Sequence, residues 1–404
     1  MKRLLLLLLS IALLSSGCGA SPSGSASGVT SSVPDISLPE ETDDSIEDYT
    51  FDQDFTEGDQ ALTVRLHGTV DRTDGFERYG VSQIEILGEN IILQTLRVKD
   101  AIDAACADGG EVNYGDQDRT DYFTADSGLA LEDLNFDGFP DLRLICWMGN
   151  VNASYLCWLW DPETSQFFYA FQLSGYEVTT DPEARQIITE SRDGPGMYYT
   201  DHYQYDSSTG KLLHTGQEVE NLLLEDGSEQ DDALVSVWQY LPNMDVDLKY
   251  ASADNFTGQV IYDSEDPQLR FGTLQKLKAV QDQLGQAGFR LLIWDAYRPA
   301  EAQRKLWELC PDANFVSNPN KGFSNHSRGN TVDVTLVTLD SEPVEMPSGF
   351  DEFSALADRD YSDVSPTARS NAELLEQAMT AAGFRGYSKE WWHFSDTTDY
   401  PVIQ

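Results

Sequence analysis

Hydrophobic and polar positions alternate with different periods in the two halves of the chain. In the first half the apolar residues come in short β-branched or aromatic runs cut by Gly, Asp and Asn. Ala61 to Leu66, Gln83 to Gln94, Leu142 to Trp147, Tyr155 to Trp160 and Phe167 to Phe171 read as strands. Asp161-Pro162-Glu163-Thr164-Ser165 and Asp206-Ser207-Ser208-Thr209-Gly210 are turn sequences between aromatic runs. Only about Leu96 to Cys106 suggests a helix. From Leu269 the period changes: Leu269, Leu274, Leu277, Val280 and Leu284 recur near helical spacing, and the segment stops at Gly288. Arg290 to Trp294 is a short buried strand. Pro299 opens a helix, where its missing N–H costs nothing, and Pro311 closes it. Val332 to Val337 reads as a strand, and Asn371 to Ala382 as a helix stopped by Gly383. No regular βαβ alternation persists, so the pattern predicts a mostly β domain followed by an α+β domain.

The chain ends and seams sharpen the division. Lys2 and Arg3 precede an apolar run from Leu4 to Leu14, interrupted only by Ser10. As a helix that run rises only about 16 Å, short of a roughly 30 Å hydrocarbon core, so it reads as a secretory signal. Leu14-Ser15-Ser16-Gly17-Cys18 resembles a bacterial lipobox, with Cys18 the residue to be acylated. The competing reading is an ordinary cleaved signal in which Cys18 is incidental. Residues 1–18 are therefore expected to be a lipoprotein signal peptide and 19–55 a flexible acidic tether. The β-rich domain would span 56–220, a linker 221–231, and the α+β domain 232–404. The expected location is the outer face of a bacterial cytoplasmic membrane, held by the lipid.

Charge removes one class of partner. With 26 Lys+Arg against 69 Asp+Glu, the 404 residues carry a net charge of −43, which repels phosphate backbones and excludes nucleic-acid binding. Five cysteines make no disulfide scaffold. Cys146 and Cys157 flank a turn, and either a cross-hairpin disulfide or two buried thiols is compatible with their positions.

Asp133, Asn135, Asp137 and Asp141 place oxygen side chains around Gly138, like the start of an EF-hand loop. Leu144 stands at the twelfth position, where a bidentate Glu belongs, so this is not an EF-hand. It looks more like the DxNxDG loop of β-rich domains in bacterial surface proteins. A structural Ca2+ and a turn held by Asx hydrogen bonds are both open readings.

Of the five histidines, His67, His202 and His214 sit in strand-like or turn sequences without ligand spacing. The other two belong to richer stretches. In Ser324-Asn325-His326-Ser327-Arg328-Gly329-Asn330-Thr331-Val332-Asp333, a histidine and an aspartate bracket a glycine turn that folds the chain back. Asp333 lies in a strand whose apolar neighbours Val332 and Val334 point the other way. In Glu390-Trp391-Trp392-His393-Phe394, a glutamate precedes a histidine by three. A regular strand would send these two to opposite faces, so a bend between them is expected. Imidazole and carboxylate both suit zinc. Trp391 and Trp392 read as core or pocket wall.

With these motifs the chain resembles the D-alanyl-D-alanine dipeptidases of the VanX type, zinc peptidases related to cell-wall D,D-carboxypeptidases. The stretches Asp247 to Gly258, Ile293 to Pro299 and Met346 to Asp351 add to the resemblance, which covers about 234–404. It implies one Zn2+ held by His326, Asp333 and His393, with Glu390 as the base acting on water. Arg298 would stabilise the oxyanion, and Ser324 would contact substrate. The implied substrate is D-alanyl-D-alanine or a similar small dipeptide, in a narrow pocket that reads both ends. Two alternatives stand beside it: a D,D- or L,D-carboxypeptidase trimming peptidoglycan stem peptides, and a non-catalytic cell-wall-binding lipoprotein. No protein partner is implied.

Overall fold

The computed structural model describes residues 46–57, 60–73, 75–107, 118–225, 229–313 and 315–403. The signal segment, Cys18 and the tether up to residue 45 lie outside them. The first half is three antiparallel four-stranded meanders. The first comprises β1 (Ile46–Glu57), β2 (Gln60–Asp71), β3 (Arg78–Gly88) and β4 (Ile91–Arg97), and helix α1 (Val98–Ala107) follows it. The second comprises β5 (Ala130–Glu132), β6 (Asp141–Met148), β7 (Ala153–Asp161) and β8 (Gln166–Gly175). The third comprises β9 (Glu177–Asp181), β10 (Gln186–Arg192), β11 (Met197–Asp206) and β12 (Lys211–Asn221).

Strand β7 explains the stacking. Leu156, Trp158 and Trp160 enter one core with β2, β3 and α1, while Tyr155, Cys157 and Leu159 enter another with β8 to β10. A strand covered on both faces needs apolar residues at every position, which is why this segment shows no alternation. Cys146 sits in the first of these cores and Cys157 in the second, and both are free thiols.

Three sequence-based boundaries shift. The end of the expected tether, from Ile46, is strand β1, paired with β2 from Ile46↔Asp71 to Glu57↔Gln60. Its acidic residues hide a period of two: Tyr49, Phe51 and Phe55 pack against the core while Asp52 pairs with Arg65 at 2.7 Å. The expected strand 83–94 is a hairpin, turned at Glu89 and Asn90, whose φ angles of 50° and 66° suit a tight primed turn. The expected linker starts as helix α2 (Leu222–Glu225), and Leu224 is buried in the core of the second half.

The second half opens with β13 (Leu234–Ser236), α3 (Val237–Tyr240), β14 (Asp245–Val246) and β15 (Gln268–Arg270). Helices α4 (Phe271–Gln286) and α5 (Ala300–Leu309) flank β16 (Phe289–Asp295). Then come β17 (Thr331–Thr338), α6 (Pro366–Ala381), β18 (Phe384–Tyr387) and β19 (Glu390–Asp396). One five-stranded sheet, ordered β14-β16-β17-β19-β18, organises them; only the β14–β16 pair is parallel. The apolar faces of α4 and α6 bury Leu274, Leu277, Leu284, Leu375 and Met379 against it. Trp391 and Trp392 both belong to this core.

The two halves touch along β12 and α4. Lys278 Nζ donates to the Val219 carbonyl at 3.1 Å, and Asn243 Nδ2 to the Tyr199 hydroxyl at 2.6 Å. Gly285 leaves no room for a side chain: a Cβ would stand 2.7 Å from the Gln217 carbonyl oxygen. His214 on β12 lies 2.9 Å from Asp201 and 3.6 Å from Asp340, just beyond β17. Among the described residues, no helix is long and apolar enough to cross a membrane.

Candidate active site

Strand register gathers the acidic and imidazole groups into a row. Asp295 on β16 pairs with Asp333 on β17, and Asp333 pairs with His393 on β19. An irregularity between Ile293 and Asp295 turns Asp295 to the Asp333 face. A second irregularity, in β19, brings Glu390 to the same side as His393, with Glu390 Oε2 3.7 Å from His393 Nδ1. This is the bend the spacing predicts.

His326 arrives from a different element. It sits in a 3-10 turn, Asn325–Arg328, closed by Gly329 in the left-handed region at φ 72°. That turn is tied to the segment after β16. The Arg298 N–H donates to the His326 carbonyl at 3.2 Å, and Ser327 Oγ to the Arg298 carbonyl at 2.9 Å. His326 Nδ1 lies 2.8 Å from the Ala296 carbonyl, which can only accept, so Nδ1 carries the proton and Nε2 presents a lone pair.

That lone pair faces two other acceptor-rich groups. His326 Nε2 is 3.3 Å from His393 Nδ1 and 3.4 Å from Asp333 Oδ2, and His393 Nδ1 is 2.9 Å from Asp333 Oδ1. Among the described residues, His326, Asp333 and His393 form a group of potential ligand atoms lying within 4.8 Å of one another. A tetrahedral zinc with bonds near 2.0–2.1 Å has ligand–ligand edges of roughly 3.3–3.4 Å, so the donor set and its spacing fit that ion. The negative Asp333 carboxylate is held well below the usual range: the two imidazoles outweigh the effect of its burial. Burial opposes the His326 imidazolium, but Asp333 and Asp295 overcome it and the net shift is upward.

A cavity of about 240 Å³ opens over this group, lined by Arg298, Ser324, Glu390 and the three clustered residues. Burial lifts the Glu390 carboxyl to about 7. Arg298 is held from several sides. Its Nε donates to Asp295 Oδ2 at 3.0 Å, its Nη2 reaches the same oxygen, and its Nη1 donates to Gln303 Oε1 at 3.0 Å. The guanidinium carbon lies 4.7 Å from the centre of the Tyr250 ring.

Two further acids, one on the cavity wall and one behind it, have no role in the sequence reading, although their stretches are part of the resemblance. Asp351 enters the wall with its Oδ2 accepting from the Tyr250 hydroxyl at 2.5 Å, and burial lifts its carboxyl to about 7. Asp295 is fully buried behind Arg298 and accepts from the Tyr262 hydroxyl at 2.8 Å. No local spacing marks Asp351, whose Tyr250 partner lies 101 residues away, and the Tyr262 partner of Asp295 lies 33 residues away, although Arg298 is only three residues on.

The carboxylate loop near 133 is a different kind of structure. Asp133 accepts from the Asp137 and Gly138 N–H groups, and Asp137 from Phe139 N–H. Asn135 Oδ1 accepts from Asp137 N–H. Asp141 turns inward, fully buried, accepting from Leu134 and Asn135 with one oxygen and Trp160 with the other. These are the Asx hydrogen bonds of the turn reading, and nothing in the loop supports calcium.

Known proteins resemble the second half. The peptidase M15 family profile, described as D-ala-D-ala dipeptidase, matches residues 230–402. A D-alanyl-D-alanine dipeptidase of Escherichia coli K12 is 38% identical over 172 residues, covering 42% of this chain and 89% of that protein. Those of Enterococcus faecalis V583 and Streptomyces coelicolor are each 34% identical, covering 37% of this chain and 83% and 84% of theirs. A Xanthomonas Type IV secretion system related protein aligns at 13% identity and a TM-score of 0.30, over 43% of this chain and 82% of that one. That likeness is too weak to bear on fold or function. The dipeptidase matches, by contrast, take in most of each relative: the chain belongs to the D-Ala-D-Ala dipeptidase family of M15 peptidases.

Proposed function

We propose that residues 232–404 form a zinc-dependent peptidase that hydrolyses D-alanyl-D-alanine or a similar small dipeptide. The observation that carries the reading is the spacing of His326, Asp333 and His393, at 2.9 to 3.4 Å between ligand atoms, with Glu390 only 3.7 Å away. Zinc bound there would act as a Lewis acid on the peptide carbonyl and lower the pKa of a bound water to about 7. Glu390 takes the proton from the attacking water and delivers it to the departing amine, work suited to a carboxyl that titrates near neutrality. Arg298, permanently charged and held by Asp295 and Gln303, stabilises negative charge as it develops on the carbonyl oxygen. Ser324 contacts the substrate from the cavity wall.

Two features favour a free dipeptide over a stem peptide. The cavity, about 240 Å³, falls below the roughly 300–1,000 Å³ usual for drug-sized ligands. Asp351 offers an acid to a free ammonium, and an acylated nitrogen would have no charge to answer it. The proposal includes export and a lipid anchor at Cys18, which rest on the sequence of residues 1–18. It also includes a role for the β-rich region, from β1 at Ile46 to β12, as the part that carries the peptidase region.

The test gives the zinc-loaded full chain free D-Ala-D-Ala and its N-acetyl derivative. Release of D-Ala from the free dipeptide, with the acetylated one at least tenfold slower, is expected. The reverse preference would assign a carboxypeptidase. Stoichiometric zinc without hydrolysis of either, or of a wall-derived peptide, would assign a binding protein.

A further inference from the structure

Strand β19 carries both Glu390 and His393, and its pairing with β18 is broken at that point. Gly386 pairs with Phe394 and Tyr387 pairs with Glu390, so residues 391–393 have no counterpart on β18. The break is what re-aims His393 to the Glu390 side, because an unbroken strand would put them on opposite faces. It also removes the strand partners of the looped-out backbone. A buried carbonyl left without a donor is costly, so something must replace the missing strand.

Arg359 replaces it. From the loop before α6, its Nε donates to the Tyr387 carbonyl at 2.9 Å, and its Nη2 donates to the Trp391 and His393 carbonyls at 3.0 Å each. Its own backbone N–H donates to the Ser388 carbonyl at 3.3 Å. The guanidinium carbon sits 4.3 Å from the centre of the Phe394 ring, and Nη1 lies 3.3 Å from Glu376 on α6. The side chain is thus fixed from below and from outside. Gly386 completes the cradle: a Cβ there would stand 2.3 Å from the guanidinium carbon.

We infer that Arg359 is a positioning residue, whose planar fork holds the β19 irregularity in the one shape that turns His393 and Glu390 together toward Asp333. The fork spans three carbonyls in fixed geometry, which a lysine ammonium cannot reproduce. Arg359 does not line the cavity, so its effect passes through the backbone of the residues that do. The inference rests on the zinc-peptidase reading above.

The experiment measures zinc affinity by competition with a chromophoric chelator, together with kcat and KM for D-Ala-D-Ala, in Arg359→Ala and Arg359→Lys full chains. Arg359→Ala is expected to bind zinc about 10- to 100-fold more weakly, as for other groups that orient metal ligands. At saturating zinc its kcat falls by a similar factor while KM stays within about threefold. Arg359→Lys is expected to fall between it and the wild type in both quantities, and it reads the same question should the alanine variant fail to fold. Zinc affinity and kcat within twofold of wild type in a folded variant would overturn the inference. A wild-type chain that neither binds zinc nor releases D-Ala would overturn it together with the reading beneath it.

Discussion

Asp295 is the buried acid behind the site, and replacing it with asparagine tests how Arg298 is held. The substitution keeps the shape but removes the charge opposite a guanidinium that is only 8% exposed. Breaking a buried pair by neutralising one partner costs about 3–5 kcal/mol, because the remaining charge is left without compensation. Arg298 retains Gln303 at 3.0 Å and the Tyr250 ring at 4.7 Å, so the lower end, about 3 kcal/mol, is expected. Urea unfolding of Asp295→Asn beside the wild type measures this. The double variant Asp295→Leu/Arg298→Met, which removes both charges and keeps an apolar fill, should recover at least half of the loss. Activity must behave differently. The single variant leaves Arg298 free to drift, costing roughly 10²-fold in kcat, and the double variant restores none of it. A single variant within about 1 kcal/mol of wild type, or a double variant no more stable than the single, would refute the reasoning.

Other consequences follow from the same contacts. Glu390→Gln should lower kcat by roughly 10²–10⁴-fold while zinc binding is kept, read by D-Ala release and chelator competition. His214, between Asp201 and Asp340, is raised to about 9: burial opposes the shift and the two acids overcome it. A raised imidazole stabilises the fold fully below its unfolded value of about 6.5, and the contribution disappears as pH rises through about 9. With the Asp340 side chain 72% exposed, about 1–2 kcal/mol is expected, and His214→Gln should flatten the pH dependence of urea unfolding over that window. Cys146 and Cys157 should stay silent to a thiol reagent until the chain unfolds, since burial pushes Cys146 up to about 12 and Cys157 higher still. Asp141→Ala should destabilise by at least about 2 kcal/mol by orphaning the buried N–H groups of Leu134 and Trp160 and the half-buried one of Asn135, read by urea unfolding.

The parts of this architecture that sequence reveals are those with a local period or a local stop. Helix α4 is legible from Leu274 to Leu284 and from Gly288, which takes the left-handed φ of 84°. The approach of Glu390 to His393 is legible as a conflict: a period of two forbids it, so a bend must exist. What resolves the conflict is not legible, because Arg359 lies 31 residues before Glu390 in sequence and acts on main-chain carbonyls. Asp351 is hidden for the same reason, since the Tyr250 hydroxyl that it accepts from lies 101 residues away. Strand β1 misleads in the opposite way, its acidic outer face masking the aromatic inner one.

The central claim is that one metal ion, gripped by His326, Asp333 and His393, makes this chain a hydrolase. The direct measurement strips the full chain with a chelator, returns zinc in steps and follows D-Ala released from free D-Ala-D-Ala. Turnover that is absent without metal and rises to a plateau at one equivalent is the predicted result. Turnover indifferent to metal, or no turnover at any zinc level, would contradict the account.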